Sequence, residues 1–408
     1  MASKLHFRNA MTANPIKIVS PQATEIRRVV GKWTGDRNGP TLIVVGSIHG
    51  NEPSGRLALS RASEFVDRKA GELKGRVLFL TGNVRASTLG VRFVDTDLNR
   101  YWSRENILRN SAASAESHAS EDQEQSELLQ SIGEFLRTAV DEIFVLDLHS
   151  TSAGGAPFAT VGDTMRNRRF AMKFPVTMLL GIEEQLEGTL LEFLNNEGAV
   201  TLGFEAGQHD DPASVDNHEA LVMLALVYSG VLEKTDLPDF ERLAKRLRSA
   251  MPKHQIIEVR HREAITPEQG FEMRPGFANF DPVLKGQILA SDLSGDIASP
   301  ETGIIMMPLY QKKGEDGFFV ARKVAPFWLH LSALLRKFDA ARLIHLLPGV
   351  SEVPGHPEQL RVDTRIARFF PLQIFHLLGF RRLRWNNEFL LVSRRRFDTV
   401  SPFAAKRH

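Results

Sequence analysis

Between residues 40 and 232, short and nearly continuous apolar runs alternate with segments whose apolar residues recur every three or four positions. Thr41–Ile48, Arg76–Leu80, Ile143–Leu148, Phe174–Leu180 and Ala199–Phe204 are the runs. Strands without a polar face are buried on both sides, which predicts a mixed, largely parallel sheet flanked by helices. One helix is expected from about Pro53 to Ala70, with Pro53 in the first turn, where a missing N–H costs nothing. Another, Ser126 to Val140, places Leu128, Leu129, Ile132, Phe135, Leu136 and Val140 on one face. Asn217 to Leu232 is apolar on nearly every side and reads as a buried helix. Phe240, Leu243, Ala244, Leu247 and Met251 mark an amphipathic helix that Pro252 ends. The small and polar stretch Arg109–Asp122 reads as a surface loop.

After Pro252 the pattern changes to short strands, Gln255–Arg260, Gly286–Ala290, Gly303–Met307 and Gly317–Ala321, separated by Gly, Pro and Asp turns. Lys285-Gly-Gln-Ile-Leu-Ala with Gly295, Ser299-Pro and Gly303-Ile resembles the barrel-sandwich fold of lipoyl and biotinyl domains. No Met-Lys-Met hairpin is present, so the resemblance concerns fold and not a carried cofactor. A third region follows: Trp328 to Leu347 is helical in pattern, and Phe380–Arg394 reads as a hairpin turning at Asn386-Asn387. The expected organisation is an α/β domain over 1–252, a small β domain over 253–326, and a C-terminal helix with a basic hairpin over 327–408.

The chain has 408 residues, more than one core usually serves. Its 51 basic and 49 acidic residues nearly cancel, so no global field selects nucleic acid or membrane. Residues 361–408 do hold 11 Lys or Arg against three acids, a local basic face that reads as solvated rather than as an anion dock. The absence of cysteine excludes disulfides, thiolate ligands and cysteine nucleophiles, so a metal site must use His, Asp and Glu. The N-terminus lacks the apolar core of a signal peptide and no apolar run reaches spanning length. A cytoplasmic protein is expected; membranes are excluded, nucleic acid is disfavoured, and assembly into a homo-oligomer stays open.

In an open parallel sheet, ligands sit beyond the carboxyl ends of the strands. Three predicted strands end in chemically capable residues: His49 with Glu52, His149, and Glu205 within Gly203-Phe-Glu-Ala-Gly207. Two imidazoles and one carboxylate occupy three corners of a tetrahedron and leave the fourth to water, which is how an open zinc site is built. Each residue alone has an ordinary structural role. Their joint placement at strand ends is what points to a metal. Asp147 lies on the same side of its strand as His149 and could orient an imidazole. A second cluster, Arg92-Phe-Val-Asp-Thr-Asp-Leu-Asn-Arg100, sets an amide beside a guanidinium, a pair suited to holding a carboxylate. Tyr101-Trp102 behind it suggests a packed pocket wall.

Gly46-Ser-Ile-His-Gly-Asn-Glu52, Asp95-Thr-Asp-Leu-Asn-Arg100, Asp147-Leu-His-Ser-Thr151 and Gly203-Phe-Glu-Ala-Gly207 resemble, in order and spacing, the succinylglutamate desuccinylase/aspartoacylase family of zinc carboxypeptidase-like hydrolases. The resemblance covers about residues 40–325. It implies one zinc per chain, held by His49, Glu52 and His149, with Glu205 as general base. It further implies that Arg92 polarises the scissile carbonyl, that Asn99 and Arg100 grip a substrate carboxylate, and that the substrate is a small N-acylated amino acid. The family's substrate-binding tyrosine has no counterpart, since Gly317-Phe-Phe-Val offers Phe318 and Phe319 instead.

Two other readings compete. A zinc carboxypeptidase trimming peptide C-termini would use the same metal and the same carboxylate clamp. A non-catalytic protein could hold an anionic partner on the same fold. A serine hydrolase is weaker, because Gly46-Ser-Ile-His-Gly lacks the Gly-x-Ser-x-Gly spacing of a nucleophile elbow.

Overall fold

The computed structural model describes residues 25–35, 37–112, 119–251, 255–363, 365, 372–385 and 389–403. The elements through the first region are β1 (Val29–Thr34), β2 (Arg37–Gly46), α1 (Pro53–Arg68), β3 (Lys74–Thr81), α2 (Val84–Leu89), α3 (Arg104–Ala112), α4 (Ser120–Arg137) and β4 (Ile143–Thr151). There follow β5 (Phe158–Val161), α5 (Met165–Ala171), β6 (Thr177–Leu180), α6 (Leu190–Asn196), β7 (Val200–Gln208), α7 (Pro212–Tyr228) and α8 (Phe240–Ala250). Most boundaries fall within a turn of those read from the hydrophobic pattern. The expected loop Arg109–Asp122 is an exception. Its two ends are helical, in α3 and α4, and its middle lies outside the described residues. Asp122 explains the extension of α4, because its side chain accepts from the Ala119 amide and caps the first turn.

The alternation of apolar residues along β2 sets the two layers. Leu42 and Val44 turn to one face, packed with Leu59 of α1 and Leu221 and Leu224 of α7. Ile43 and Val45 turn to the other, with Leu128, Ile132 and Phe135 of α4 and Leu190 and Leu194 of α6. Strands β3, β2, β4 and β7 lie side by side in that order and run parallel. β1 is antiparallel to β3, and β5 is antiparallel to β7 but parallel to β6, so the sheet is mixed but largely parallel, flanked by helices as expected.

The second region contains β8 (Ile256–Ala264), β9 (Glu272–Met273), β10 (Pro282–Val283), β11 (Ile288–Asp292), β12 (Gly295–Ala298), β13 (Gly303–Met306) and β14 (Asp316–Lys323). β12, β11 and β9 form a separate three-stranded sheet, and a cluster including Val283, Leu289, Ile305, Phe318 and Val320 is buried against it. The other strands continue the central sheet, because β8 pairs in parallel with β6, Met178 opposite Ile256. A ladder thus runs unbroken from the α/β body into the β region.

The third region opens with α9 (Pro326–Lys337). Asp339, with φ of 51°, breaks the long helix that the pattern suggested, and Ala340–Leu346 continues as a 3₁₀ turn. β15 (Val350–Val353), β16 (His356–Asp363), β17 (Phe380–Trp385) and β18 (Phe389–Arg394) then form an antiparallel sheet in the order β15-β16-β18-β17. β17 and β18 pair as the expected hairpin, while the turn at Asn386-Asn387 lies outside the described residues. Phe375, Phe380, Leu390 and Val392 fill a core of their own. No helix among the described residues is long and apolar enough to cross a membrane.

Candidate metal centre and its pocket

Register brings the chemistry together. Gly46 at the end of β2 lies opposite Leu148 of β4, and His149 lies opposite Glu205 of β7. The carboxyl ends of three neighbouring strands therefore meet at one level. Past Gly46 the chain turns sharply through Ser47, at φ of 58°, whose hydroxyl donates to the Glu52 carbonyl at 2.8 Å. A left-handed conformation at a non-glycine residue costs about 1–3 kcal/mol and persists only where surroundings impose it. Gly50 packs against the backbone of α2: a Cβ there would come within 2.1 Å of the Ala86 carbonyl carbon. The Gly50 amide also donates to the Arg92 carbonyl at 3.0 Å, which ties this turn to the second motif.

His49, Glu52 and His149 each offer a ligand atom, all within 4.8 Å of one another. Both rings present Nδ1 to Glu52, His49 at 2.9 Å from Oε1 and His149 at 3.3 Å from Oε2. Both rings also turn Nε2 to an acid behind them. Asp97 Oδ1 is 3.1 Å from His49 and Asp147 Oδ2 is 2.8 Å from His149. A carboxylate behind an imidazole fixes its tautomer and raises its basicity as a ligand. The donor set of two nitrogens and one oxygen, with space beside it, fits an open zinc site. The surplus of carboxylates suits a cation equally well. Burial alone would raise the Glu52 carboxyl, but the adjoining imidazoles hold it well below the usual carboxylate range. Burial would lower the His149 imidazole, but Asp147 and Glu52 hold it well above its ordinary value.

Glu205 lines the same cavity, and its Oε2 is buried without a hydrogen-bond partner. Burial pushes its carboxyl up to about 8, with His149 and Arg92 pulling against Glu52 and Asp147. A carboxyl that titrates near neutrality, with a free oxygen beside a candidate metal cluster, is equipped to exchange a proton there. Arg92 is held by two acids, Nη2 3.1 Å from Asp97 and Nη1 3.3 Å from Glu52, with its head at the cavity.

Asn99 and Arg100 also reach the cavity, but both are already engaged. Asn99 accepts from the Leu190 amide at 3.0 Å and lies 3.4 Å from His149 Nε2. Arg100 donates to Asp316 of β14 at 2.7 Å and to the Asn99 carbonyl at 3.0 Å. Phe319 lines the cavity whereas Phe318 turns to the opposite cluster. Trp102 does not form a pocket wall: it is 3% exposed and packs in the core against Phe193.

Several residues in or behind the pocket escaped the sequence reading. Asp97 supports His49 and Arg92 and caps the following turn at the Asn99 amide. Its position as the second Asp of Asp-Thr-Asp-Leu-Asn, where an N-cap is favoured, was the available signal. His209 pairs with Ser150 at 2.8 Å, and Glu183, Glu192, Arg381 and Arg395 line the cavity far from any motif.

The sequence model of the succinylglutamate desuccinylase/aspartoacylase catalytic domain matches residues 38–229. A curated succinylglutamate desuccinylase of Pseudomonas syringae pv. tomato is 37% identical over 65 residues, 16% of this chain and 19% of that protein. The match therefore spans about a fifth of that relative's length. Among solved structures, a succinylglutamate desuccinylase/aspartoacylase from Rhodobacter sphaeroides superposes with a TM-score of 0.53 at 19% identity, covering 72% of this chain and 88% of that one. The product-bound ectoine utilization protein EutE of Ruegeria pomeroyi gives 0.51 at 18% identity, covering 71% and 87%. At these identities the structural likeness speaks for the shared fold. Over residues 38–229 the sequence matches the succinylglutamate desuccinylase/aspartoacylase catalytic domain, on the fold shared with these structures.

Proposed function

We propose that this protein is a zinc-dependent deacylase that hydrolyses the amide bond of a small N-acyl amino acid or a related carboxylate-bearing amide. The observation that carries this reading is one cavity holding both the His49–Glu52–His149 cluster and the unpartnered oxygen of Glu205. Zinc held by those three residues would lower the pKa of a water from about 16 to about 7 and polarise a carbonyl. Glu205 takes the proton from the attacking water on Oε2 and passes it to the leaving amine. Such a group contributes roughly 10²–10⁴-fold. Arg92, steadied by Asp97, faces the developing oxyanion, an interaction worth on the order of 3 kcal/mol. Asn99, its Oδ1 held by the Leu190 amide, and Arg100, released from Asp316, grip the substrate carboxylate and so position the scissile amide.

The cavity continues well past the metal cluster to Glu183 and Arg381, and this length keeps a zinc carboxypeptidase acting on peptides as the second reading. A non-catalytic binder accounts less well for a proton acceptor left free beside the cluster. The test is metal analysis of protein purified without added zinc, followed by a deacylation screen. N-acetyl, N-succinyl and N-formyl amino acids are run beside dipeptides, with and without chelator. Chelator-sensitive release of amine from the acyl amino acids supports the reading. Exclusive cleavage of peptides shifts it to the carboxypeptidase, and a metal-loaded protein inert on all of them overturns it.

A further inference from the structure

The cavity runs past the metal cluster along one face of β7, where Thr201, Gly203 and Glu205 alternate toward it. Gly203 keeps this passage open, since a Cβ there would come within 2.2 Å of Thr160 Oγ1 across the strand pair. The far end is built by two parts of the chain. Glu183, in the turn after β6, receives Arg395 of the third region on Oε1 at 2.6 Å and the Asp163 amide on the same oxygen at 3.1 Å. Its Oε2 is buried and has no partner. Arg381, from β17 of the third region, also lines this end, paired with Glu192. Phe158 sits opposite Glu205, and Asp163 lies five residues further along.

Resting on the deacylase reading, we propose that the third region completes the far wall of the substrate pocket, and that Glu183 there receives a primary ammonium at the distal end of the substrate. A buried carboxylate with one oxygen satisfied by a guanidinium and the other bare lacks a donor. Arg395 and Arg381 at this end are already paired with acids, so among the described residues that line it no unopposed positive charge waits for an anion. An alkylammonium fits instead. Its charge lets the carboxylate stay ionised, and its methylene stem passes Leu186 and Leu191, which also line the cavity. A distal ammonium could belong to the amine half or to the acyl half of the amide, and both present the same chemistry to Glu183.

The test uses the full-length, zinc-loaded protein and two matched pairs: Nα-acetyl-lysine against Nα-acetyl-norleucine, and N-(ω-aminohexanoyl)glycine against N-hexanoylglycine. In at least one pair the ammonium-bearing member should be preferred by about tenfold or more in kcat/KM, the scale of a hydrogen bond to a charged group. The preferred pair identifies the half that carries the charge. In Glu183→Gln the ratio within that pair should fall to near one, through KM and not kcat. Equal use of both members of both pairs by the wild type overturns the proposal, whatever the variant does. So does a preference that survives in a folded Glu183→Gln. If none of the four compounds is turned over while other N-acyl amino acids are, the pocket reading fails and the deacylase reading stands. If nothing at all is hydrolysed, the deacylase reading fails. Calorimetric binding of the two members of each pair then decides the subsite alone, and equal affinities within both pairs reject it.

Discussion

Asp97 lies behind His49, with Oδ1 3.1 Å from Nε2, while its other oxygen holds Arg92 at 3.1 Å. One buried carboxylate thus orients a candidate ligand and a candidate oxyanion donor together. Burial would raise its carboxyl, but His49 and Arg92 hold it well below the usual range. Asp97→Asn keeps the shape and removes the charge. Zinc affinity should drop roughly 10–100-fold, as when other carboxylates behind metal-bound imidazoles are changed. Competition against a fluorescent chelator reads this directly, and an unaltered affinity would assign Asp97 to Arg92 alone.

Glu205 contributes no atom to the three-residue cluster, so its loss should separate metal binding from turnover. Glu205→Gln is expected to retain zinc and to lose at least ~10²-fold in kcat. A zinc-loaded variant with full activity would remove Glu205 from the role of base.

Arg100 donates to Asp316 when no substrate is present, so a substrate carboxylate must displace that contact. Arg100→Ala should raise KM for acyl amino acids bearing a free carboxylate by about tenfold or more, with a smaller change for matched carboxylate-free amides. Equal effects on the two series would mean that the guanidinium serves only to hold β14.

His376 joins the third region to the rest of the protein, 3.0 Å from Glu184 and 3.6 Å from Glu258. Burial opposes its charge, but the two acids prevail and push the imidazole up to about 9. A raised value means that the folded protein binds the proton more tightly than the unfolded chain. The stabilisation is complete below about pH 6.5 and fades as pH rises to about 9. Thermal unfolding followed from pH 6 to 10 should show a falling midpoint across this window, attenuated in His376→Asn. Identical slopes for the two proteins would place the titration elsewhere.

The candidate metal cluster was legible in the sequence because His49 with Glu52 follows one apolar strand and His149 ends another, and the same pattern that identifies the strands also aligns their ends. The supporting acid Asp147 could be read because it stands two residues from His149, on one face of one strand. Asp97 could not be read in the same way. It reaches His49 across 48 positions of sequence, and only the docking of the Gly50 turn on α2 and Arg92 brings the two together. The far end of the cavity was hidden for a related reason. Arg395 meets Glu183 across 212 positions, between elements whose packing no periodicity encodes. Trp102 misled because an aromatic beside a binding motif looks the same in sequence whether it faces a ligand or the interior.

Asp163 carries a consequence for anyone trimming this protein to the part that matches its relatives. Its carboxylate accepts Arg336 at 2.8 Å and also pairs with Arg168, and its backbone carbonyl takes a second bond from Arg336 at 2.8 Å. A chain stopped after Lys323 keeps every residue matched by the catalytic-domain sequence, yet strips Asp163 of Arg336 and α5 of its contacts with Asp398 and Phe397. The limit of shared ancestry should therefore be a poor place to cut.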